Sequence, residues 1–149
     1  MSNSKLLVTE HCKIAYSAIN LLANMDLPNN PSIIFDIDNT LIDDYQVPIK
    51  PIIQIYNYCK SIFIQPIIIT NRMGTHENVI YTKKQLTECG ITGYNLIYFR
   101  HPNENNMWNP KIQSRKDVLL KGYNTIMSIG DKPWDIGIYG GIGVLLPTN

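Results

Sequence analysis

The chain has 149 residues, 44% of them hydrophobic and 17% charged, with 13 basic against 12 acidic side chains. That length suits one domain with its own core and is too short for two, and the balance excludes a disordered tail, a polybasic arm and a collagen-like repeat. No apolar run approaches the ~20 residues that cross a bilayer, and the N-terminus lacks the unbroken apolar stretch of a secretory signal. A cytoplasmic protein without membrane or DNA partners is therefore expected. Cys12, Cys59 and Cys89 are widely spaced and encode neither a disulfide framework nor a zinc site.

Residues 10–25 place Ile14, Ala18, Leu21, Leu22 and Met25 at helical spacing, which predicts an amphipathic helix that ends at Leu27-Pro28. Ser32-Ile33-Ile34-Phe35 has the unbroken apolar character of a strand buried on both faces. Pro51 opens a helix through Ile62, with Ile52, Ile55, Tyr56, Cys59 and Ile62 in register, and Pro66 closes that connection. Residues 67–70 form a second strand, 77–89 a helix stopped by Gly90, and 95–99 a third strand. The Asn- and Pro-rich stretch 101–110 reads as an irregular loop, after which Ser114 and Asp117 resemble a capping box for a helix ending at Gly122. Residues 126–129 and 143–146 are the fourth and fifth strands.

This alternation predicts a three-layer α/β/α, Rossmann-like fold around a mostly parallel sheet of about five strands. It reads as one unit over 1–149, with an N-terminal helix and linker (1–30) ahead of a core (31–149). In such sheets ligands gather at the carboxyl ends of the strands. The first strand ends in Asp36-Ile37-Asp38-Asn39-Thr40, the second in Thr70-Asn71-Arg72, and the fourth in Gly130-Asp131-Lys132-Pro133-Trp134-Asp135. Four carboxylates at one edge repel one another unless a cation joins them, and Mg²⁺ favours such oxygen ligands. An EF-hand is excluded because Leu41 and Val47 occupy its glycine and glutamate positions, and no phosphate-binding glycine loop is present.

FDIDNTLID, IIITNR, a lysine before a helix and SIGDKPWD resemble, in order, the four motifs of the haloacid dehalogenase (HAD) superfamily of phosphohydrolases. Thr82, Leu86 and Gly90, Lys111 and Arg115 before Gly122-Tyr123, and Leu146-Pro147 are similar to its subfamily III acid-phosphatase branch, which includes plant acid phosphatases, vegetative storage proteins and bacterial lipoprotein acid phosphatases. The resemblance implies a Mg²⁺-dependent phosphomonoester hydrolase. Asp36 would be the nucleophile that forms an aspartyl-phosphate, and Asp38 the general acid and base. Thr70 and Asn71 would contact the phosphoryl group, Asp131 would hold the metal with Asp36 and the Asp38 backbone, and Asp135 would be a further ligand or would orient a bound water. The motif-three lysine would be Lys111, with Lys116 as the alternative. Arg72 has two readings, a contact to substrate phosphate or a partner for a neighbouring carboxylate.

Neither connection in which the superfamily usually inserts a cap is long enough for one, so an open site is expected, rimmed by 43–47, 101–110 and the N-terminal helix. Such a site suits a small phosphomonoester, a nucleoside monophosphate among them, and the chain could act as a monomer or a dimer. Two alternatives stand beside this reading: a catalytically idle HAD-fold binding protein, and a phosphatase specific for nucleotides or polynucleotide ends. Trp108, Trp134 and His76 fall near the mouth, where aromatic packing is the commoner role. His11 and His101 show no partner pattern.

Overall fold

Ser32, Ile33, Ile34 and Phe35 are all buried, as an uninterrupted apolar run at the centre of a covered sheet requires. They belong to strand β1 (Pro31–Phe35) of a computed structural model that describes residues 3–148, so Met1, Ser2 and Asn149 of the expected unit lie outside it. Helix α1 (Asn3–Asn24) precedes β1, and helix α2 (Lys50–Ser61), strand β2 (Gln65–Met73), helix α3 (His76–Glu88) and strand β3 (Leu96–Arg100) follow. Helix α4 (Trp108–Leu120), strand β4 (Asn124–Gly130), a single 3-10 turn (Pro133–Asp135) and strand β5 (Ile142–Leu145) complete the described chain. The sheet order is β3-β2-β1-β4-β5, with every neighbouring pair parallel.

Alternation along β1 sends Ile33 and Phe35 into one core, with Ala15, Ala18 and Leu22 of α1 and Ile52, Ile55, Tyr56 and Cys59 of α2. Ile34 faces the other way, packing with Ile67, Ile69 and Val118 of α4. The result is the expected three-layer α/β/α arrangement, and the segments before and after α3 carry no large cap. Each fully buried Ile or Phe contributes ~1.5–3 kcal/mol over exposure, which holds β1 and β2, both covered on two faces, at the centre of the sheet. No helix among the described residues is long and apolar enough to cross a membrane.

Three elements differ from the sequence expectation. Helix α1 begins well before residue 10, and its buried stripe is His11, Ala15, Ala18 and Leu22, while Leu21 is exposed. Pro66 lies inside β2 rather than ending the connection, which is tolerated near the start of a strand. Helix α4 starts at Trp108, six residues before the supposed capping box at Ser114. The Asn106 side chain accepts the backbone N–H groups of Trp108 and Asn109, and Pro110 sits in the first turn, where its missing N–H has no partner to lose. Asp117 is mid-helix and accepts from the Tyr98 hydroxyl at 2.6 Å.

β5 is fixed by a close crossing at Gly141, whose φ is +65°, and a Cβ there would lie 2.5 Å from the Ile126 carbonyl group. Gly141→Ala should therefore cost about 2–4 kcal/mol and lower the thermal midpoint by ~5–15 °C. Calorimetry reads this directly, and an unchanged midpoint would show that β5 is not held at this point.

Candidate active site

The chain leaves β1 at Asp36, whose N–H donates to the Ile129 carbonyl of β4 at 3.0 Å. It then turns sharply, the Ile37 carbonyl accepting from Thr40, Leu41 and Ile42, while Asn39 takes a left-handed φ of 57° that Asn tolerates. Ile37, Leu41 and Ile42 are wholly buried and pin this turn to the core. β2 and β3 shift register between Ile69 and Met73, and that irregularity carries Thr70, Asn71 and Arg72. Asp131 follows β4 directly, and the 3-10 turn brings Asp135 back beneath it.

One oxygen from each of Asp36, Asp131 and Asp135 lies within 4.8 Å of the others. Among them sits Lys111 of α4, only 2% exposed, with Nζ 3.0 Å from Asp36 Oδ1, 2.6 Å from Asp135 Oδ1 and 2.6 Å from the Ile69 carbonyl. Two of the ammonium hydrogens bond Asp36 and the Ile69 carbonyl, and Asp135 Oδ1 meets the same nitrogen as an ion pair. One ammonium among three carboxyl groups leaves this largely buried cluster short of positive charge. Burial, reinforced by the charges of Asp135 and Asp131 and opposed by Lys111, pushes the Asp36 carboxyl up to about 8. Burial also raises Asp131. Burial would lower Lys111, but Asp36 and Asp135 outweigh it and hold the ammonium above its ordinary range. The donor set is all oxygen and carries excess negative charge, which fits a divalent cation.

Two further features place Asp135. At Gly130 a Cβ would overlap the Asp135 side chain, so only glycine lets β4 approach it. Asp135 Oδ2 accepts the Lys132 N–H at 3.0 Å, closing the turn. Arg115, 1% exposed, donates from Nη1 to the Trp134 carbonyl at 2.7 Å and from Nε to the Ile138 carbonyl at 2.8 Å. Sequence reasoning did not count Arg115 among the site residues. The signal was its position four residues after Lys111 and three before Val118, one helical stripe on which two of three buried residues are cations.

Asp38 stands apart from the cluster. Its side chain, 55% exposed, meets Arg72 in a two-pronged pair, Nη2–Oδ1 at 2.8 Å and Nε–Oδ2 at 3.0 Å. Arg72 Nη1 donates to Gln85 Oε1 at 2.7 Å and Thr82 Oγ1 at 3.2 Å. Of the two readings for Arg72, the structure therefore contains the carboxylate partner. Three carboxylates meet at the edge rather than four. Thr70 is buried beside Lys111's carbonyl partner, and its Oγ1 accepts the Arg72 N–H at 3.0 Å. Asn71 donates from Nδ2 to the Met107 carbonyl at 3.0 Å, so its side chain ties β2 to the start of α4. Lys116 is exposed on the far side of α4, and Lys111 is the lysine at the cluster. Trp108 and Trp134 pack edge to face at 5.9 Å, while His76 and His101 are exposed.

A family model described as HAD superfamily, subfamily IIIB (acid phosphatase) matches residues 46–140, which include Thr70, Lys111, Arg115, Asp131 and Asp135. The chain belongs to this HAD acid-phosphatase family. Among solved structures it is similar to the class C acid phosphatase from Bacillus anthracis, with a TM-score of 0.60 and 16% identity, a likeness of fold. That match covers 85% of this chain and 65% of the other, so the chain spans less than two thirds of that protein's length. No curated protein matches the chain. Asp36 and Asp38 precede the matched region, and their link to this HAD site is the geometry above.

The raised Asp36 carboxyl gives the metal-free protein a pH dependence of known sign. The folded chain keeps a proton from about pH 4 to about pH 8 that the unfolded chain releases, so stability is greatest below the unfolded value and falls as pH rises through 8. In EDTA the thermal midpoint should drop by ~5–10 °C more between pH 5 and 8.5 in the wild type than in Asp36→Asn, which cannot ionise. Equal slopes in scanning calorimetry would contradict the buried, raised carboxyl.

Proposed function

We propose that this HAD-family chain is a Mg²⁺-dependent phosphomonoester hydrolase that works through an aspartyl-phosphate on Asp36. The observation that carries the reading is Lys111, held between Asp36 and Asp135 at the strand ends with Asp131 beside them. Structural ion pairs rarely gather an excess of buried like charge, whereas phosphoryl-transfer sites need it to hold a cation against the transferred group.

In this reading Asp36 attacks phosphorus, the bond to the ester oxygen breaks, and Asp38, which must enter this step as the protonated acid, gives its proton to the departing alkoxide. Water then attacks phosphorus of the acyl phosphate, losing its proton to Asp38 and freeing phosphate and Asp36. Thr70 Oγ1 accepts the Arg72 N–H, which leaves its own hydrogen for a phosphoryl oxygen. Lys111 positions Asp36 and offsets the charge that spreads over the phosphoryl oxygens. Arg72 fixes the Asp38 carboxylate outside the Asp36 cluster with a planar fork and would bind substrate phosphate only by releasing it. Asp36, Asp131 and Asp135, with the Asp38 backbone, would hold Mg²⁺, which when bound supplies the positive charge that lets Asp36 ionise near neutral pH. The substrate is a small phosphomonoester, with nucleoside monophosphates within the size that an uncapped site admits.

The test is phosphate release from p-nitrophenyl phosphate by the wild type and Asp36→Asn, with Mg²⁺ and with EDTA. Turnover should require Mg²⁺ and fall ~10³-fold or more in the variant, whose nucleophile is gone while its fold is kept. Equal rates in the two proteins would reject the nucleophile. Absence of turnover in both would move the chain to a HAD-fold protein that binds phosphorylated ligands without hydrolysing them.

A further inference from the structure

A cavity of about 540 Å³ opens beside Asp131 and runs away from the carboxylates, between α1, the 43–51 segment and the chain after β5. Its walls include Leu7 and Val8 of α1 and Val47 and Pro48 opposite, with Asp43, Asp44 and Lys50 also in the lining; the surface is mostly apolar and the volume is in the size range of small-molecule sites, far larger than phosphate needs. His11 belongs to the same wall and is only 4% exposed. Its imidazole donates to the Pro147 carbonyl, while Nε2 has no partner among the described residues. The nitrogen in that bond is therefore Nδ1, and in the neutral ring Nε2 is an acceptor. Burial lowers the His11 pKa and favours that neutral form. Buried polar atoms are almost always paired, so an unpaired acceptor on a side chain that lines this mostly apolar cavity calls for a donor from a ligand.

Building on the hydrolase reading, we propose that this cavity receives the alcohol part of the substrate, and that His11 selects a bulky, largely apolar alcohol carrying an O–H or N–H donor. The phosphate would sit at the Asp36 cluster and the ester oxygen toward Asp38, at the end of the cavity lined by Asn39, with the ring system lying along α1. Selectivity then comes from α1 and the 43–51 segment, which do for this chain what a cap would otherwise do. His11 is a specificity residue and takes no part in bond making.

The test compares 6-hydroxy-2-naphthyl phosphate, which has a donor, with its 6-methoxy counterpart, which has none, and with phenyl phosphate. The wild type should favour the hydroxy ester over the methoxy ester by about tenfold in kcat/KM, and His11→Leu should bring that ratio close to one. Val8→Trp, at a position 56% exposed and so safe for folding, should narrow the cavity and lower the naphthyl-to-phenyl ratio of kcat/KM by about tenfold. An unchanged hydroxy-to-methoxy ratio in His11→Leu, or an unchanged naphthyl-to-phenyl ratio in Val8→Trp, overturns the proposal. If the wild type releases no phosphate even from phenyl phosphate, the hydrolase reading fails instead. Titration calorimetry with 2,6-dihydroxynaphthalene then decides the cavity alone: binding weakened about tenfold by Val8→Trp retains it as a ligand site, and no binding removes it.

Discussion

The arrangement of this protein depends on one buried ammonium. Lys111 Nζ lies between Asp36 at the end of β1, Asp135 in the turn after β4 and the Ile69 carbonyl of β2, so three neighbouring strands and α4 meet at a single atom. Taking any of these charges out of water alone would cost several kcal/mol, and leaving the carboxylates unpaired would cost on the order of 3–5 kcal/mol. The lysine makes the burial of Asp36 and Asp135 tolerable without neutralising the group, and that residue of negative charge is the property on which a cation site depends. A closer balance of charge would give a more stable core and a poorer site.

The requirement propagates outward. Asp135 can reach Lys111 only because Gly130 has no Cβ and because the backbone from Trp134 to Ile138 is held by Arg115. Arg115 in turn lies one helical turn along from Lys111, so the same face of α4 supplies the cation of the cluster and the clamp on the loop that completes it. Thr82 and Gln85 of α3 hold Arg72, which holds Asp38. The helices therefore act less as spacers between strands than as the supports of particular carboxylates.

What was legible in the sequence follows from this division. Ile33 to Phe35, and Ile67 to Ile69, announce central strands because burial on both faces leaves no polar interruption. The aspartates that follow strands one and four announce the edge at which they meet. The first six residues of helix α4 are hidden in the sequence because its buried stripe is Lys111, Arg115 and Val118, and two cations on an inward face defeat any reading based on apolar periodicity. Its true cap, Asn106, was hidden in an Asn- and Pro-rich stretch that looks like loop. The fourth carboxylate, Asp38, was expected among the other three for a related reason. Spacing along the chain places its backbone at the edge, but only the third dimension shows that Arg72 draws its side chain aside.

That separation has a chemical logic under the proposed reaction. Asp36 and Asp38 are two residues apart, with the wholly buried Ile37 between them, yet the Asp36 side chain is 10% exposed and the Asp38 side chain 55%. A nucleophile and cation ligand gains from low dielectric, where each charge it meets acts more strongly and no water competes for phosphorus. A group that must give a proton to an alcohol and then take one from water needs the opposite, contact with both the leaving group and solvent. Were Asp38 drawn into the cluster, it would add a fourth like charge around Lys111 and lose its access to the water it has to activate. The Arg72 fork prevents this, holding Asp38 at the boundary between the buried charges and the open mouth, so one short turn presents two chemically identical side chains in two different media.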